Sequence, residues 1–177
     1  MKTVALIGYR CVGKTTVGRR LAERLGWDFF DTDEMAAAEK GQTIARLVSS
    51  EGWPAFRKLE SEILARAVNR DRAVVATGGG MVESSKNREL LRRMDLVVWL
   101  AAPAHVIERR MASDESTITD RPGLTEKSDR RAEIEETLAR REPLYRETAD
   151  LIYDTAVLSV EEVIDSIART LMGKEGG

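Results

Sequence analysis

A single cysteine, Cys11, and a single histidine, His105, stand in a chain of 177 residues. One thiol cannot close an internal disulfide, and together with one imidazole it cannot assemble a Cys/His metal site. A reducing compartment fits, and the cytoplasm is the expected location. Long apolar runs are also missing. Val4 to Ile7 ends at Gly8, too short for the core of a secretory signal, and Leu96 to Ala102 falls far below the roughly 20 residues that span a bilayer. A soluble protein is expected. Neither sign of charge dominates, because 28 Lys plus Arg face 30 Asp plus Glu for a net of -2. That balance offers no footprint for a polyanion, so neither nucleic acid nor membrane is an expected partner, and any anionic ligand must be gripped locally. With 13 glycines, 4 prolines and 42% hydrophobic residues, the composition is neither fibrous nor disordered.

The length suits one domain. Short apolar runs alternate with longer helical patterns, the mark of an α/β protein built on a parallel sheet. Strands are expected at Thr3 to Ile7, Trp27 to Phe30, Ala73 to Ala76, Leu96 to Leu100 and Leu151 to Tyr153. They show little polar alternation, as expected of strands covered on both faces. Val17, Leu21 and Leu25 recur every four residues and stop at Gly26, which predicts a helix with a glycine C-cap. A second long helix follows from Phe56, Leu59, Ile63, Leu64, Ala67 and Val68, and a terminal one from Val160, Val163, Ile164, Ile167, Ala168 and Leu171. Between about Met111 and Asp129 the pattern lapses into Ser, Thr, Asp, Gly and Pro, which suggests a lid at about 111–128.

The strongest chemical signal is Gly8-Tyr9-Arg10-Cys11-Val12-Gly13-Lys14-Thr15, a G-x-x-x-x-G-K-[ST] sequence between an apolar strand and an amphipathic helix. A phosphate chain needs converging N–H donors, and a glycine-bearing loop entering a helix N-terminus supplies them along with the positive end of the helix dipole. Cys11, Val12, Gly13, Lys14, Thr15 and Thr16 are the candidate ATP contacts. Lys14 would reach the β- and γ-phosphates, and the Thr15 hydroxyl would ligate Mg2+. Cys11 near a helix N-terminus and a lysine could also be a redox-sensitive thiol, although a small residue filling a loop position is the plainer reading.

After the second strand comes Asp31-Thr32-Asp33, at the carboxyl edge where open parallel sheets bind ligands. One carboxylate could order a hydrated Mg2+ and the other contact an acceptor hydroxyl; alternatively, Asp31 or Thr32 caps the helix that begins near Asp33. Arg57 and Glu60, three apart on a helix, read by default as an exposed ion pair. Gly78, Gly79 and Gly80 directly follow a strand and would let a small molecule approach the backbone. Arg109, Arg130 and Arg131 read as solvated, and His105 as structural or solvated.

Taken in order, G-x-x-x-x-G-K-T-T, D-T-D, F-R-x-x-E, G-G-G, R-P and R-x-P-L-Y resemble the shikimate kinase family over about residues 3 to 172. The resemblance implies a three-layer αβα fold of the nucleoside-monophosphate-kinase type, with a five-stranded parallel sheet in order 2-3-1-4-5, a substrate-binding segment at about 32–70 and the lid. It implies transfer of a phosphoryl group from MgATP to the 3-hydroxyl of shikimate, by a monomer. Asp33 would bind the acceptor hydroxyls as base or orienting group, and Asp31 would hold Mg2+ through water beside Thr15. Arg57 and Arg141 would clamp the shikimate carboxylate, with Gly78, Gly79 and Gly80 giving backbone contacts and Glu60 holding Arg57. Arg121 would close over the phosphates, and Arg110 would stand on the adenine side. The chain departs from the pattern at Cys11, where the family usually has glycine, at Pro54, which interrupts the start of the substrate helix, and in the long stretch from Arg110 to Arg121. A kinase of the same fold with another acceptor, such as gluconate or a nucleoside monophosphate, is one alternative, and a nucleotide-binding regulatory module without catalysis is another.

Overall fold

The computed structural model describes residues 2–113 and 130–173. The expected lid at about 111–128, and Arg121 with it, lies outside these residues apart from 111–113. The described chain forms β1 (Thr3–Ile7), α1 (Lys14–Leu25), β2 (Asp28–Asp31), α2 (Thr32–Lys40), α3 (Ile44–Ala67), β3 (Ala73–Ala76), a single 3-10 turn at Met81–Glu83, α4 (Ser85–Leu91), β4 (Leu96–Ala101), α5 (Ala104–Ser113), α6 (Arg130–Thr148), β5 (Leu151–Asp154) and α7 (Val160–Gly173). Every strand pairing is parallel, and the sheet order is β2-β3-β1-β4-β5, as the resemblance implies.

The alternation of side chains along each strand divides the core between the two faces of the sheet. Val4 and Leu6 of β1, with Val98 and Leu100 of β4, face Val17 and Leu21 of α1 and Ile164 and Ile167 of α7. Ala5, Ile7, Val97 and Trp99 point the other way, onto Leu64 and Val68 at the end of α3 and Leu90 and Leu91 of α4. A third cluster, Ala36, Ile44, Leu47, Phe56, Leu59 and Ile63, sits between α2 and α3. This outlying core gives the segment after β2 its own support, away from the sheet.

The second strand shifts for a physical reason. The expected Trp27 to Phe30 becomes Asp28–Asp31, because the Trp27 N–H donates to Ala22 O at 2.9 Å and so belongs to the closing turn of α1, where Gly26 takes the expected left-handed conformation with φ 65°. The outer strands β2 and β5 are also less covered than expected, with partly exposed residues in both. They are the edges of the sheet, so the burial of central strands does not extend to them. Within α3, Gly52 has φ 81° and ψ 166°, which breaks the helix into two parts. Pro54 then falls in the opening turn of the second part, where its missing N–H has no helical partner to lose.

Gly18, in the middle of α1, has no room for a side chain: a Cβ there would meet the Phe29 ring, and the nearest Leu6 atom would lie 3.2 Å away. Gly18→Ala therefore overpacks the junction between α1 and β2, outweighing the helix propensity of alanine. A loss of about 1–3 kcal/mol is expected in urea denaturation; unchanged or increased stability would contradict this account.

Candidate functional site

The loop from Gly8 to Gly13 is shaped by positive φ angles: 138° at Gly8, 59° at Cys11 and 98° at Gly13. Gly8 must be glycine, because a Cβ would collide with the Leu100 carbonyl. Cys11 holds a left-handed conformation that costs an L-residue about 1–2 kcal/mol, a cost that glycine would not carry. At the start of α1, Gly13 offers no side-chain cap and the first turn has no acidic residue. With no acidic residue of its own there, the end of the helix favours an anion. Lys14 Nζ folds back into the loop, donating to Gly8 O at 2.9 Å and Tyr9 O at 2.6 Å.

Beside this loop, the end of β2 brings three adjacent residues to separate tasks. Asp31 caps α2, its Oδ1 accepting from the N–H of Asp33 at 2.9 Å and of Glu34 at 3.4 Å. Its other oxygen accepts the Thr15 hydroxyl at 2.8 Å. The capping and metal-side readings of Asp31 are thus compatible, one oxygen for each. Thr32 is buried, and its hydroxyl accepts the Gly78 N–H at 2.9 Å, fastening the start of α2 to the three-glycine loop. Asp33 follows and lines a cavity.

That cavity, about 90 Å³, is walled by Asp33, Arg57, Glu60, the three glycines and Arg141, and it reaches Tyr9 and Arg10 of the phosphate loop. Arg57 Nη1 donates to Glu60 Oε2 at 2.5 Å. This is not the exposed pair expected from the spacing, because the Glu60 side chain is only 1% exposed. Burial pushes the Glu60 carboxyl above its ordinary range, against the pull of the Arg57 guanidinium. The glycines make the space: a Cβ on Gly78 would lie 2.5 Å from Glu60 Oε1 and 2.8 Å from Asp33 Oδ1, and one on Gly80 would collide with the Arg57 guanidinium. Trp53, placed by the break at Gly52, sets its ring 5.2 Å from the Arg57 guanidinium carbon.

From the opposite wall α6 presents Arg141. Its guanidinium carbon lies 5.9 Å from the Tyr9 ring, and its Nη2 donates to Glu83 Oε2 at 3.2 Å. One turn further along the helix is Tyr145, stacked on Trp99 at 5.6 Å, with its hydroxyl donating to Gly79 O at 2.5 Å. Burial pushes the pKa of this phenol well up, so it remains a donor. Sequence reasoning considered Thr32 only as a helix cap and had no role for Tyr145, Trp53 or Glu83. Of these three only Tyr145 carried a signal, as the last residue of R-x-P-L-Y.

A second cavity, about 370 Å³, opens on the other side of the loop and is lined by Cys11, Val12, Gly13, Thr16, Arg110, Thr155 and the apolar Leu158, Val160 and Val163, among others. Arg110 is fixed there by bonds to Thr155 Oγ1 at 2.9 Å and Thr155 O at 2.6 Å. The arrangement suits a flat base, with Arg110 at its edge. Lys14 and Thr15 stand at the start of α1, between the two cavities. All the expected site residues except Arg121 thus gather around one phosphate loop.

For Mg2+, the relevant donors are the Thr15 hydroxyl and the Asp31 carboxylate, both hard oxygens and already in contact. No group of three or more acidic, histidine or cysteine side chains that could hold a metal occurs among the described residues. So small a set, one direct and one through water, fits Mg2+, which keeps several waters and takes the rest of its shell from phosphates.

Comparison with known proteins agrees with this geometry. The family model for shikimate kinase matches residues 10–172. A shikimate kinase of Oleidesulfovibrio alaskensis is 47% identical over 154 residues, covering 87% of this chain and 88% of that protein. One from Nitratidesulfovibrio vulgaris is 49% identical over 146 residues, 82% of each chain. Among solved structures, a shikimate kinase from Acinetobacter baumannii in complex with shikimate superposes with a TM-score of 0.90 at 32% identity, covering 100% of this chain and 96% of that one.

Tyr145→Phe keeps the ring on Trp99 and removes only the bond to Gly79. The expected cost is about 1–2 kcal/mol in stability, with a several-fold rise in KM for the ligand of the Arg57 cavity and little change in KM for nucleotide. Equal rises in both constants would mean that Tyr145 does not act through the glycine loop.

Proposed function

The chain belongs to the shikimate kinase family, and from that membership we propose how its residues divide the transfer of a phosphoryl group from MgATP to the 3-hydroxyl of shikimate. The observation that carries the assignment is the convergence of Asp33, Arg57, the three glycines and Arg141 on one cavity that reaches the phosphate loop through Tyr9 and Arg10.

The nucleotide base enters the cavity beside Arg110, and the phosphates run along the loop to the α1 N-terminus. Lys14 exchanges the carbonyls of Gly8 and Tyr9 for phosphate oxygens. Mg2+, held by Thr15 and through water by Asp31, would neutralise phosphate charge when bound. Arg57 and Arg141 receive the shikimate carboxylate, since a guanidinium forks onto a planar carboxylate and fixes direction as well as charge. With that end held, the ring hydroxyls turn toward Asp33. Its carboxylate accepts the proton of the 3-hydroxyl while the oxygen bonds to the γ-phosphorus, and the bond to the ADP oxygen breaks. Charge on the moving phosphoryl group is met by Lys14 and by Arg121, whose role rests on its R-P motif.

The chain reads as one domain whose acceptor segment runs over about 32–70, supported by the separate cluster between α2 and α3. Its single cysteine agrees with a cytoplasmic setting, and among the described residues no helix is long and apolar enough to cross a membrane. We take the enzyme to act as a monomer.

The direct test is product identification after incubation with MgATP and shikimate. Shikimate 3-phosphate and ADP are expected in equal amounts, with ADP release dependent on shikimate and Mg2+. Release as fast without shikimate would sink the reading, and a panel with gluconate and nucleoside monophosphates would reveal another acceptor. Asp33→Asn should lower kcat by orders of magnitude with ATP binding nearly intact; equal loss of ATP affinity would assign Asp33 elsewhere. Arg57→Lys should raise KM for shikimate about tenfold or more, since lysine keeps the charge without the fork.

A further inference from the structure

Glu83 belongs to none of the motifs, yet its carboxylate meets the arginines of the acceptor cavity. It ends the 3-10 turn after the three glycines, and its N–H donates to Gly80 O at 3.1 Å, which fixes its backbone relative to that loop. Its Oε2 lies 3.2 Å from Arg141 Nη2 and 3.6 Å from Arg57 Nη2, while Oε1 lies 3.1 Å from Arg140 Nε. One oxygen therefore addresses both guanidiniums assigned to the shikimate carboxylate. Partial burial disfavours its charge, but the hydrogen bond and charge of Arg141, reinforced by Arg140 and Arg57, hold its carboxyl below the usual range. It is ionised at neutral pH.

Arg140 is 56% exposed, so water screens much of its charge, whereas Glu83 is 30% and Arg141 13% exposed. Among these more enclosed groups Arg57 and Arg141 face Glu60 and Glu83, two positive charges against two negative. Arg10 and Asp33, one charge of each sign, also line the cavity. The two glutamates are not equivalent. Glu60 hydrogen-bonds Arg57 and meets Arg141 only through its charge, whereas one oxygen of Glu83 lies within 4 Å of both guanidiniums.

We propose that Glu83 is a specificity-determining counter-ion that competes with the acceptor carboxylate for Arg57 and Arg141 and so sets the enzyme's affinity for its acidic acceptor. The inference rests on the carboxylate-clamp reading above. Its consequence applies equally to substrate and product, since the acceptor keeps its carboxylate while the phosphoryl group is added at the 3-hydroxyl. Such contacts are uniform binding, which changes KM without accelerating chemistry. By weakening them, Glu83 limits how tightly the phosphorylated acid is retained.

Glu83→Gln keeps the shape and removes the charge; Glu83→Asp keeps the charge. At low ionic strength, KM for shikimate should fall about fivefold in Glu83→Gln, a moderate change because the site is part solvated. KM for ATP should not move, and Glu83→Asp should stay within about twofold of wild type, a window that excludes the charge-loss effect. A KM for shikimate that rises or is unchanged in Glu83→Gln overturns the proposal. So does a parallel fall in KM for ATP, or an equal fall in Glu83→Asp. Failure of the clamp reading itself is seen elsewhere: a wild-type enzyme that binds the uncharged methyl ester of shikimate as tightly as the acid has no carboxylate clamp, whatever Glu83 does.

Discussion

A carboxylate taken out of water must be matched or neutralised, and Glu60 is matched by the side chain of Arg57 at 2.5 Å. The geometry of the acceptor cavity depends on this pair. Removing one partner of a buried ion pair costs about 3–5 kcal/mol, so Arg57 is held in place by the cost of leaving Glu60 alone. The pair also dictates its surroundings. Gly78 and Gly80 have to lack side chains, because a Cβ on the first would meet Glu60 and Asp33, and on the second Arg57. With those positions bare, backbone forms one wall of the cavity and Asp33 can lie against it.

Other contacts draw the remaining groups to that wall. Thr32 holds Gly78 from α2, and Tyr145 holds Gly79 from α6. Asp33 and Arg141 each lie close to one of these anchors in sequence, so the glycine loop acts as a common reference for both ends of the acceptor. The proposed proton acceptor, Asp33, and Arg141 of the proposed carboxylate clamp are thus positioned relative to each other by a few backbone contacts. Such fixation limits the reacting geometries that must be searched after binding.

Much of this was legible in the sequence, and what was legible is local. The central strands, the α1 stop at Gly26 and the loop before Lys14 follow from hydrophobic period, cap chemistry and motif spacing. The strand order and the clamp assignment came instead from resemblance to a family. Trp27 was misread as strand because its apolar character fits a strand, while its N–H is committed to the turn that closes α1. The Arg57–Glu60 spacing gave the pairing but not the burial, which depends on glycines almost twenty residues further on. Glu83 had no signal, because three consecutive glycines say nothing about a side chain three positions beyond them.

The net charge of -2 says little about this site for a related reason. Beside the cavity, charges are balanced group by group: Arg57 against Glu60 and Arg141 against Glu83. Selectivity for an acid then comes from where the positive charges are fixed and how much of each a neighbouring carboxylate has already taken up. The phosphate loop works on another principle. There the α1 N-terminus, with no acidic residue in its first turn, offers backbone dipoles together with Lys14. On the proposed reading one fold therefore holds two anions in different ways, phosphate by backbone amides with Lys14 and carboxylate by partly compensated arginines. The second arrangement is the one that a single side chain can tune.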